Sequence, residues 1–203
     1  RRAVSIRSFA LAKDPRLAST ASVCATRRAS SSFCRCTQKT AAAAASHPQL
    51  VEARRRGLPV WKYADCVGAL MEGRTGIAVA GCHGKTTTCG LLVAALASAE
   101  ADFGYVLGGL FRDPAFPPAR ASASSPWVVA EVDESDGSIA RYDPTVAVVS
   151  NISLDHKSME ELRDLFGGFT GRARTTVLNL DNVETAALAQ TMVDYGGADA
   201  VLT

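Results

Sequence analysis

Short apolar runs alternate along the chain with longer stretches in which apolar residues recur three or four positions apart. The short runs are typical of buried strands, and the longer periodic stretches predict amphipathic helices. The pattern predicts helices over 48–56, 64–72, 158–172 and 183–194, a further helix ending near 99, strands over 76–80, 105–107, 127–132, 145–150, 176–180 and 200–202, and a proline-rich loop over 111–126. Strands that alternate with helices in this way predict an α/β fold with a mostly parallel sheet and helices on both faces.

Three polar segments follow predicted strands directly. They are residues 81–88, 131–136 and 151–156. In sheets of this kind ligands bind beyond the carboxyl ends of the strands. The sequence therefore predicts that the three segments meet at one edge of the sheet and form a single site.

The first of these segments, 81–88, is a glycine turn between a predicted strand and a predicted helix. Backbone N–H groups at such a helix N-terminus can bind phosphate, Lys85 adds a charge for the outer phosphates, and the Thr86 hydroxyl can ligate magnesium. Two residues separate the glycines, whereas the general phosphate-loop pattern has four. The segment predicts a nucleoside triphosphate site formed by Gly81, Cys82, His83, Gly84, Lys85, Thr86 and Thr87.

Charge is distributed unevenly along the 203 residues, although the formal net charge is only +2. Residues 1–46 contain nine Lys or Arg and one acid, whereas residues 47–203 contain thirteen bases and nineteen acids. The acidic balance of the second part argues against a nucleic-acid surface there. No apolar run approaches the roughly 20 residues of a membrane helix, so we expect no membrane span.

Six cysteines are present, and none forms a Cys-x-x-Cys pair with the spacing of metal ligands. Cys34 and Cys36 lie close together in a segment of low complexity, where a zinc site is not expected. Cys82 lies inside the glycine turn. A reducing compartment is the simplest setting for such a thiol.

The motifs resemble those of the Mur ligase family, the cytoplasmic enzymes that build the peptidoglycan precursor. The resemblance rests on Gly-Cys-His-Gly-Lys-Thr-Thr-Thr from Gly81, Glu-Val-Asp-Glu-Ser-Asp from Glu131 and Asn-Ile-Ser-Leu-Asp-His from Asn151. It implies the fold of the family's central ATP-binding domain, ATP and Mg²⁺ as cofactors, and amide formation through an acyl phosphate. The motifs are most similar to those of members that join L-alanine to UDP-N-acetylmuramate, and these two molecules are the implied small-molecule partners.

The resemblance also implies roles for single residues. Lys85, Glu131 and His156 are the implied catalytic residues, with Lys85 on the β and γ phosphates, and Thr86, Glu131 and His156 are the implied metal ligands. Plainer interpretations stay open for two of them. Glu131 can be a solvated residue at a strand end, and His156 can be a hydrogen-bonded histidine in a loop.

Other polar residues have interpretations of their own. Asp133, Glu134 and Asp136 can cap a following helix or turn, and His83 is expected to shape the loop or face the substrate rather than act as a general base. Lys85 is expected to pack against little. Its replacement by alanine is therefore expected to remove most of the ATP affinity and leave the fold intact.

The sequence departs from the family pattern at two positions of the site. Cys82 replaces the usual threonine, and His156 adjoins Lys157 where the family usually has several intervening residues. We interpret 1–46 as a disordered or transit-like leader, 47–74 as a remnant of the N-terminal sugar-nucleotide domain with its linker, and 75–203 as the central ATP-binding domain truncated at its C-terminus. A cytoplasmic location is expected, or a plastid-like organelle if the leader is genuine.

Two alternatives to alanine addition stay open. One is the recycling ligase that attaches an intact tripeptide to UDP-N-acetylmuramate, which typically has tyrosine at the position of Ser135. The other is a nucleotide-binding remnant without catalysis. Under the principal interpretation, too, we expect the chain alone to bind Mg-ATP weakly and not to ligate.

Overall fold

The computed structural model describes residues 37–39, 44–122, 124–155, 157–194 and 199–202. The greater part of the predicted leader, with Cys34 and Cys36, lies outside these ranges. The helices are α1 (Pro48–Arg55), α2 (Tyr63–Met71), α3 (Lys85–Ser98), α4 (Met159–Gly171) and α5 (Val183–Asp194), with a 3₁₀ helix at Ser138–Arg141. The strands are β1 (Thr37–Lys39), β2 (Val60–Lys62), β3 (Thr75–Ala80), β4 (Gly104–Val106), β5 (Ala119–Arg120), β6 (Trp127–Glu131), β7 (Val146–Val149), β8 (Thr175–Leu178) and β9 (Asp199–Leu202).

The main sheet has the strand order β5-β4-β6-β3-β7-β8-β9. Every neighbouring pair in it is parallel except β4 and β5, which are antiparallel. α3 connects β3 to β4, α4 connects β7 to β8, and α5 connects β8 to β9, and such crossovers are typical of parallel strands. The mostly parallel sheet predicted from the sequence is therefore confirmed.

The pairing register brings the ends of three central strands together. Val79 of β3 pairs with Glu131 of β6, and Ala80 pairs with Val149 of β7. Because β3 lies between β6 and β7, the segments that follow these strands leave the sheet side by side. This register places the three polar segments at one edge.

The core has two layers, one on each face of the sheet, because side chains along a strand alternate between the faces. Ala78 and Ala80 pack into a cluster with residues of α2, α4 and α5, whereas Val79 packs into a second cluster with residues of α3. Helices therefore cover both faces, as predicted. None of the helices that the structure describes is long and apolar enough to cross a membrane.

The structure differs from the prediction in two connecting segments. The predicted loop over 111–126 contains β5, which closes one edge of the sheet, and the segment after β6 contains the 3₁₀ helix. A two-residue strand and a four-residue 3₁₀ helix are too short to produce a period in the sequence. Arg172, just after α4, donates hydrogen bonds to the carbonyls of Ile139 and Tyr142 and so fixes the 3₁₀ helix to α4.

A smaller sheet precedes the main one. β1 and β2 pair in parallel, with Thr37 opposite Val60 and Lys39 opposite Lys62. β1 falls inside the range predicted as a leader. The backbone pairing joins residues of β1 and β2 that are more than twenty positions apart in the sequence, so local composition does not predict it.

Phe166 of α4 is fully buried in the larger core cluster. We expect Phe166→Ala to lower the free energy of unfolding by about 3–5 kcal/mol, because it removes buried apolar surface and leaves a cavity. Val193 of α5 is 60% exposed, and Val193→Ala is the matched control with an expected change within about 0.5 kcal/mol. Urea denaturation followed by circular dichroism measures both. Equal changes in the two variants would contradict the assignment of Phe166 to the core.

Candidate active site

The three polar segments predicted to form one site do meet at the carboxyl ends of β3, β6 and β7. Asn151, after β7, accepts a hydrogen bond at its backbone carbonyl from Cys82 N–H (3.1 Å) and at Oδ1 from His83 N–H (2.9 Å). In return its side-chain amide donates to the His83 carbonyl at 2.8 Å. The glycine turn is thus fastened to the segment after β7 by backbone and side chain together.

Gly81 has no room for a side chain. Its φ is +138°, and a Cβ there would lie 2.3 Å from Ser150 Oγ and 3.2 Å from the backbone of Asn151. Ser150 Oγ donates to the His83 carbonyl at 2.9 Å. The close approach that Gly81 permits is therefore what allows the segment after β7 to support the turn.

Gly84 is the N-cap of α3 and has a left-handed conformation with φ +76°. The first N–H groups of a helix lack intrahelical partners. Among the described residues no hydrogen bond is made by the N–H groups of Gly84, Lys85, Thr86 and Thr87. These amides at the positive end of the α3 dipole form a site suited to an anion such as phosphate.

Lys85 does not extend into solvent. Its Nζ lies 2.9 and 3.1 Å from the two carboxylate oxygens of Glu134 and 3.5 Å from Asp133 Oδ1. The side chains of Lys85 and Glu134 are 16% and 5% exposed. Burial opposes the charge on Lys85, but the hydrogen bonds and charges of Glu134 and Asp133 outweigh it and raise the pKa of the ammonium. The expectation that Lys85 packs against little was wrong.

Glu131 ends β6 and lies against the start of α3. Both of its carboxylate oxygens lie 3.0 Å from Thr86 Oγ1, which donates to them, and Gly108 N–H donates to Oε2. A Cβ at Gly108 would lie 2.2 Å from the Glu131 carboxylate, and one at Gly109 would lie 2.8 Å from the Thr86 methyl group. A side chain at either of these glycines after β4 would therefore displace Glu131 or Thr86 from this arrangement.

The run after Glu131 forms a turn. Asp133 accepts hydrogen bonds from the N–H and hydroxyl of Ser135, and Asp136 accepts from Ser138 N–H at the start of the 3₁₀ helix. Partial burial opposes the charge of Asp133, yet Ser135 and Lys85 outweigh it and lower its pKa. The capping interpretation is confirmed for Asp133 and Asp136, whereas the Glu134 carboxylate binds Lys85 instead.

Cys82 is 7% exposed, and its sulfur both donates and accepts a hydrogen bond. The thiol donates to the Ser153 carbonyl at 3.2 Å, and Ser153 N–H donates to Sγ at 3.3 Å. His83 is exposed at the outer side of the turn. Cys82 therefore forms a side-chain link between the turn and the segment after β7.

His156 lies outside the described residues, so its predicted catalytic and metal-binding roles stay predictions. The structure does describe its neighbours Asp155 and Lys157, whose backbones form an isolated bridge. Within the ranges that the structure describes, no group of three or more His, Cys, Asp and Glu side chains is placed to hold a metal ion. Glu131 and Thr86 nevertheless place three oxygens together, and oxygen is the donor that Mg²⁺ prefers.

Comparisons with known proteins agree with the motifs. No family model matches the chain. Over 166 residues the chain is 37% identical to UDP-N-acetylmuramate–L-alanine ligase of Thermobifida fusca, an alignment that covers 76% of this chain and 35% of that protein. The chain belongs to the Mur ligase family. It spans about a third of the length of the curated relative that it matches.

Solved structures of Mur ligases share the fold. The crystal structure of UDP-N-acetylmuramate-alanine ligase MurC from Thermotoga maritima superimposes with a TM-score of 0.65 at 22% identity, covering 82% of this chain and 38% of that one. The UDP-N-acetylmuramate:L-alanyl-gamma-D-glutamyl-meso-diaminopimelate ligase of Neisseria meningitides gives 0.62, also at 22% identity, covering 81% and 57%. At these identities the likeness concerns the fold.

Two contributors to this Mur ligase site were missed in the sequence. Glu134 was interpreted as a cap, and only the folded turn after β6 shows that its carboxylate reaches Lys85. Asn182 accepts hydrogen bonds from Ile152 N–H and from Thr185 N–H, so it supports the segment after β7 while capping α5. An asparagine just before a periodic apolar stretch is an N-cap signal, so the sequence could have indicated the capping of α5 but not the contact with Ile152.

Replacing Lys85 with alanine leaves the buried Glu134 carboxylate without its partner. We expect the free energy of unfolding to fall by about 2–4 kcal/mol, because an unpaired buried charge is costly. The double variant Lys85→Ala/Glu134→Gln removes that charge and should recover at least half of the loss. Arg74, exposed between α2 and β3, supplies the control Arg74→Ala. Urea denaturation measures all three, and a double variant no more stable than Lys85→Ala would contradict the account.

Proposed function

We propose that this chain forms the ATP-binding core of an ATP-dependent ligase that joins L-alanine to the carboxylate of UDP-N-acetylmuramate. One observation carries the proposal. The N–H groups from Gly84 to Thr87, which have no hydrogen-bond acceptor among the described residues, lie at the same sheet edge as the Lys85 ammonium and the Thr86–Glu131 pair. They do so in a chain whose 37% identical relative has that activity in its name.

Phosphate binding is the first task of such a site. The amides from Gly84 to Thr87 can donate to the oxygens of the β phosphate, and the ammonium of Lys85, the first residue of α3, is the proposed partner of the γ phosphate. Phosphoryl transfer asks the protein mainly to position the reacting groups and to offset their charge. The turn supported by Asn151 supplies a rigid frame for that positioning.

Magnesium is the second component of the proposal. The Thr86 hydroxyl and the Glu131 carboxylate fit a hard cation, because both offer oxygen and both stand beside the proposed phosphate site. When bound, Mg²⁺ supplies charge neutralisation for the transferring phosphoryl group. We extend the ligand set to His156 on the family resemblance alone.

The reaction itself requires an activated acyl group. The carboxylate oxygen of UDP-N-acetylmuramate attacks the γ phosphorus of ATP, the bond from that phosphorus to the β-γ bridging oxygen breaks, and ADP leaves. The amine of L-alanine then attacks the acyl carbon, inorganic phosphate departs with the bonding electrons, and the amine loses a proton. In this scheme Lys85 holds the γ phosphate in line and offsets its charge.

The remaining expectations belong to the same proposal. Residues 47–74 correspond to the end of a sugar-nucleotide domain with its linker, and 75–203 to the central domain. Residues 1–46, apart from β1, are proposed as a leader, with a cytoplasmic location as the principal hypothesis and a plastid-like organelle as the alternative.

Thr86→Val tests the metal part of the site. Valine keeps a methyl group next to Gly109 but removes the hydroxyl that donates to Glu131, so we expect Mg-ATP affinity to fall by at least about tenfold and metal-free ATP affinity to change little. Titration calorimetry with excess MgCl₂ and then with EDTA measures both. Thr88→Val, one helical position beyond the proposed contacts, is the control. Equal Mg-ATP affinity in wild type and Thr86→Val would refute the assignment of Thr86.

Ligation is tested with the full product of the gene that encodes this chain. We expect release of inorganic phosphate that requires UDP-N-acetylmuramate, ATP and L-alanine together, because the acyl phosphate is consumed only when an amine is present. Release that requires L-alanyl-γ-D-glutamyl-meso-diaminopimelate in place of L-alanine would support the recycling ligase. Nucleotide binding without release under either condition would support a remnant that has lost catalysis.

A further inference from the structure

Carboxylate oxygens surround the ammonium of Lys85. It has three N–H bonds, and three carboxylate oxygens lie around it: the two of Glu134 at 2.9 and 3.1 Å and one of Asp133 at 3.5 Å. Glu134 is the more buried partner, with 4% of its surface exposed. The ammonium of Lys85 is therefore already paired with carboxylates.

The charges at this edge are unbalanced. Lys85 lies beside the carboxylates of Glu134 and Asp133, and a third carboxylate, that of Glu131, binds the hydroxyl of the next residue, Thr86. Carboxylates thus outnumber the ammonium at Lys85 and Thr86, next to the first N–H groups of α3. A polyphosphate without a metal ion adds further negative charge to this region, whereas a polyphosphate that carries a divalent cation adds much less.

We propose that Glu134 is a positioning residue that competes with phosphate for Lys85 and thereby makes nucleotide binding conditional on a divalent cation. The inference rests on the proposed function, because it assumes that the turn binds a nucleoside triphosphate. In the free protein Glu134 keeps the Lys85 side chain beside the helix N-terminus. On binding of the metal-nucleotide complex, Lys85 exchanges part of this carboxylate contact for a phosphate oxygen.

The size of the effect follows from Coulomb's law. The Glu134 carboxylate and a phosphate bound at the turn carry charges of the same sign and repel each other. Solvent at the open side of the turn reduces this, so removing the Glu134 charge should strengthen the binding of metal-free nucleotide by about tenfold. The gain in the presence of Mg²⁺ should be smaller, since the cation already offsets the carboxylates.

Glu134→Gln is the direct test, because it keeps the shape of the side chain and removes its charge. Titration calorimetry of the 203-residue chain with ATP, first in EDTA and then in excess MgCl₂, gives the ratio of the two dissociation constants. The inference predicts that this ratio falls by at least about fivefold in Glu134→Gln. Asp136→Asn removes one charge from the same turn, retains the bond to Ser138 N–H, and should leave the ratio within about twofold of wild type.

Each outcome decides a separate question. An unchanged ratio in Glu134→Gln, or an equal fall in Asp136→Asn, would overturn the inference and leave the proposed function standing. Failure of the wild-type chain to bind Mg-ATP at all would overturn the proposed function itself, and with it the inference. If Glu134→Gln does not fold, as judged by circular dichroism, Glu134→Asp decides. Its shorter side chain draws the carboxylate away from Lys85, so the ratio should fall, and a constant ratio would overturn the inference.

Discussion

Parallel pairing of β3 with both β6 and β7 is the constraint on which the candidate site depends. Because the three strands end in register, the turn after β3, the acidic run from Glu131 and the segment from Asn151 emerge next to one another. The same sheet buries alternating residues against helices on its two faces, so the strand ends are held by the whole core. The position of the site is thus a consequence of strand order.

Within that frame the turn itself is held by polar contacts rather than by apolar packing. Asn151 exchanges three hydrogen bonds with Cys82 and His83, and Gly81 allows the necessary approach. The N–H groups from Gly84 to Thr87, by contrast, have no hydrogen-bond acceptor within the part of the chain that the structure describes, and they are the groups proposed to bind phosphate. Lys85 is different, because it already has a buried carboxylate partner in Glu134. The Lys85 side chain therefore contributes to the stability of the fold and is also the proposed contact for phosphate.

The strand and helix pattern, and the meeting of three polar segments, were predictable because a parallel α/β sheet has few arrangements and its strands are short apolar runs. β5 and the 3₁₀ helix could not be predicted from the sequence pattern. β5 depends on its pairing with β4, and the 3₁₀ helix depends on hydrogen bonds from Arg172. In the site, the places of Gly81, Gly84 and Thr86 could be predicted from the motif of the glycine turn. The Glu134 contact with Lys85 did not, because a carboxylate in a turn looks the same in sequence whether it caps the turn or binds a lysine forty-nine positions away.

The central claim is that the turn from Gly81 to Thr88 binds the phosphates of ATP together with Mg²⁺. A crystal structure of the chain with Mg²⁺ and a non-hydrolysable ATP analogue tests it most directly. The account predicts phosphate oxygens within hydrogen-bonding distance of the N–H groups from Gly84 to Thr87 and of Lys85 Nζ, with the metal beside Thr86 and Glu131. A nucleotide bound elsewhere on the chain, with Lys85 still bound to Glu134 and the turn without phosphate, would contradict it.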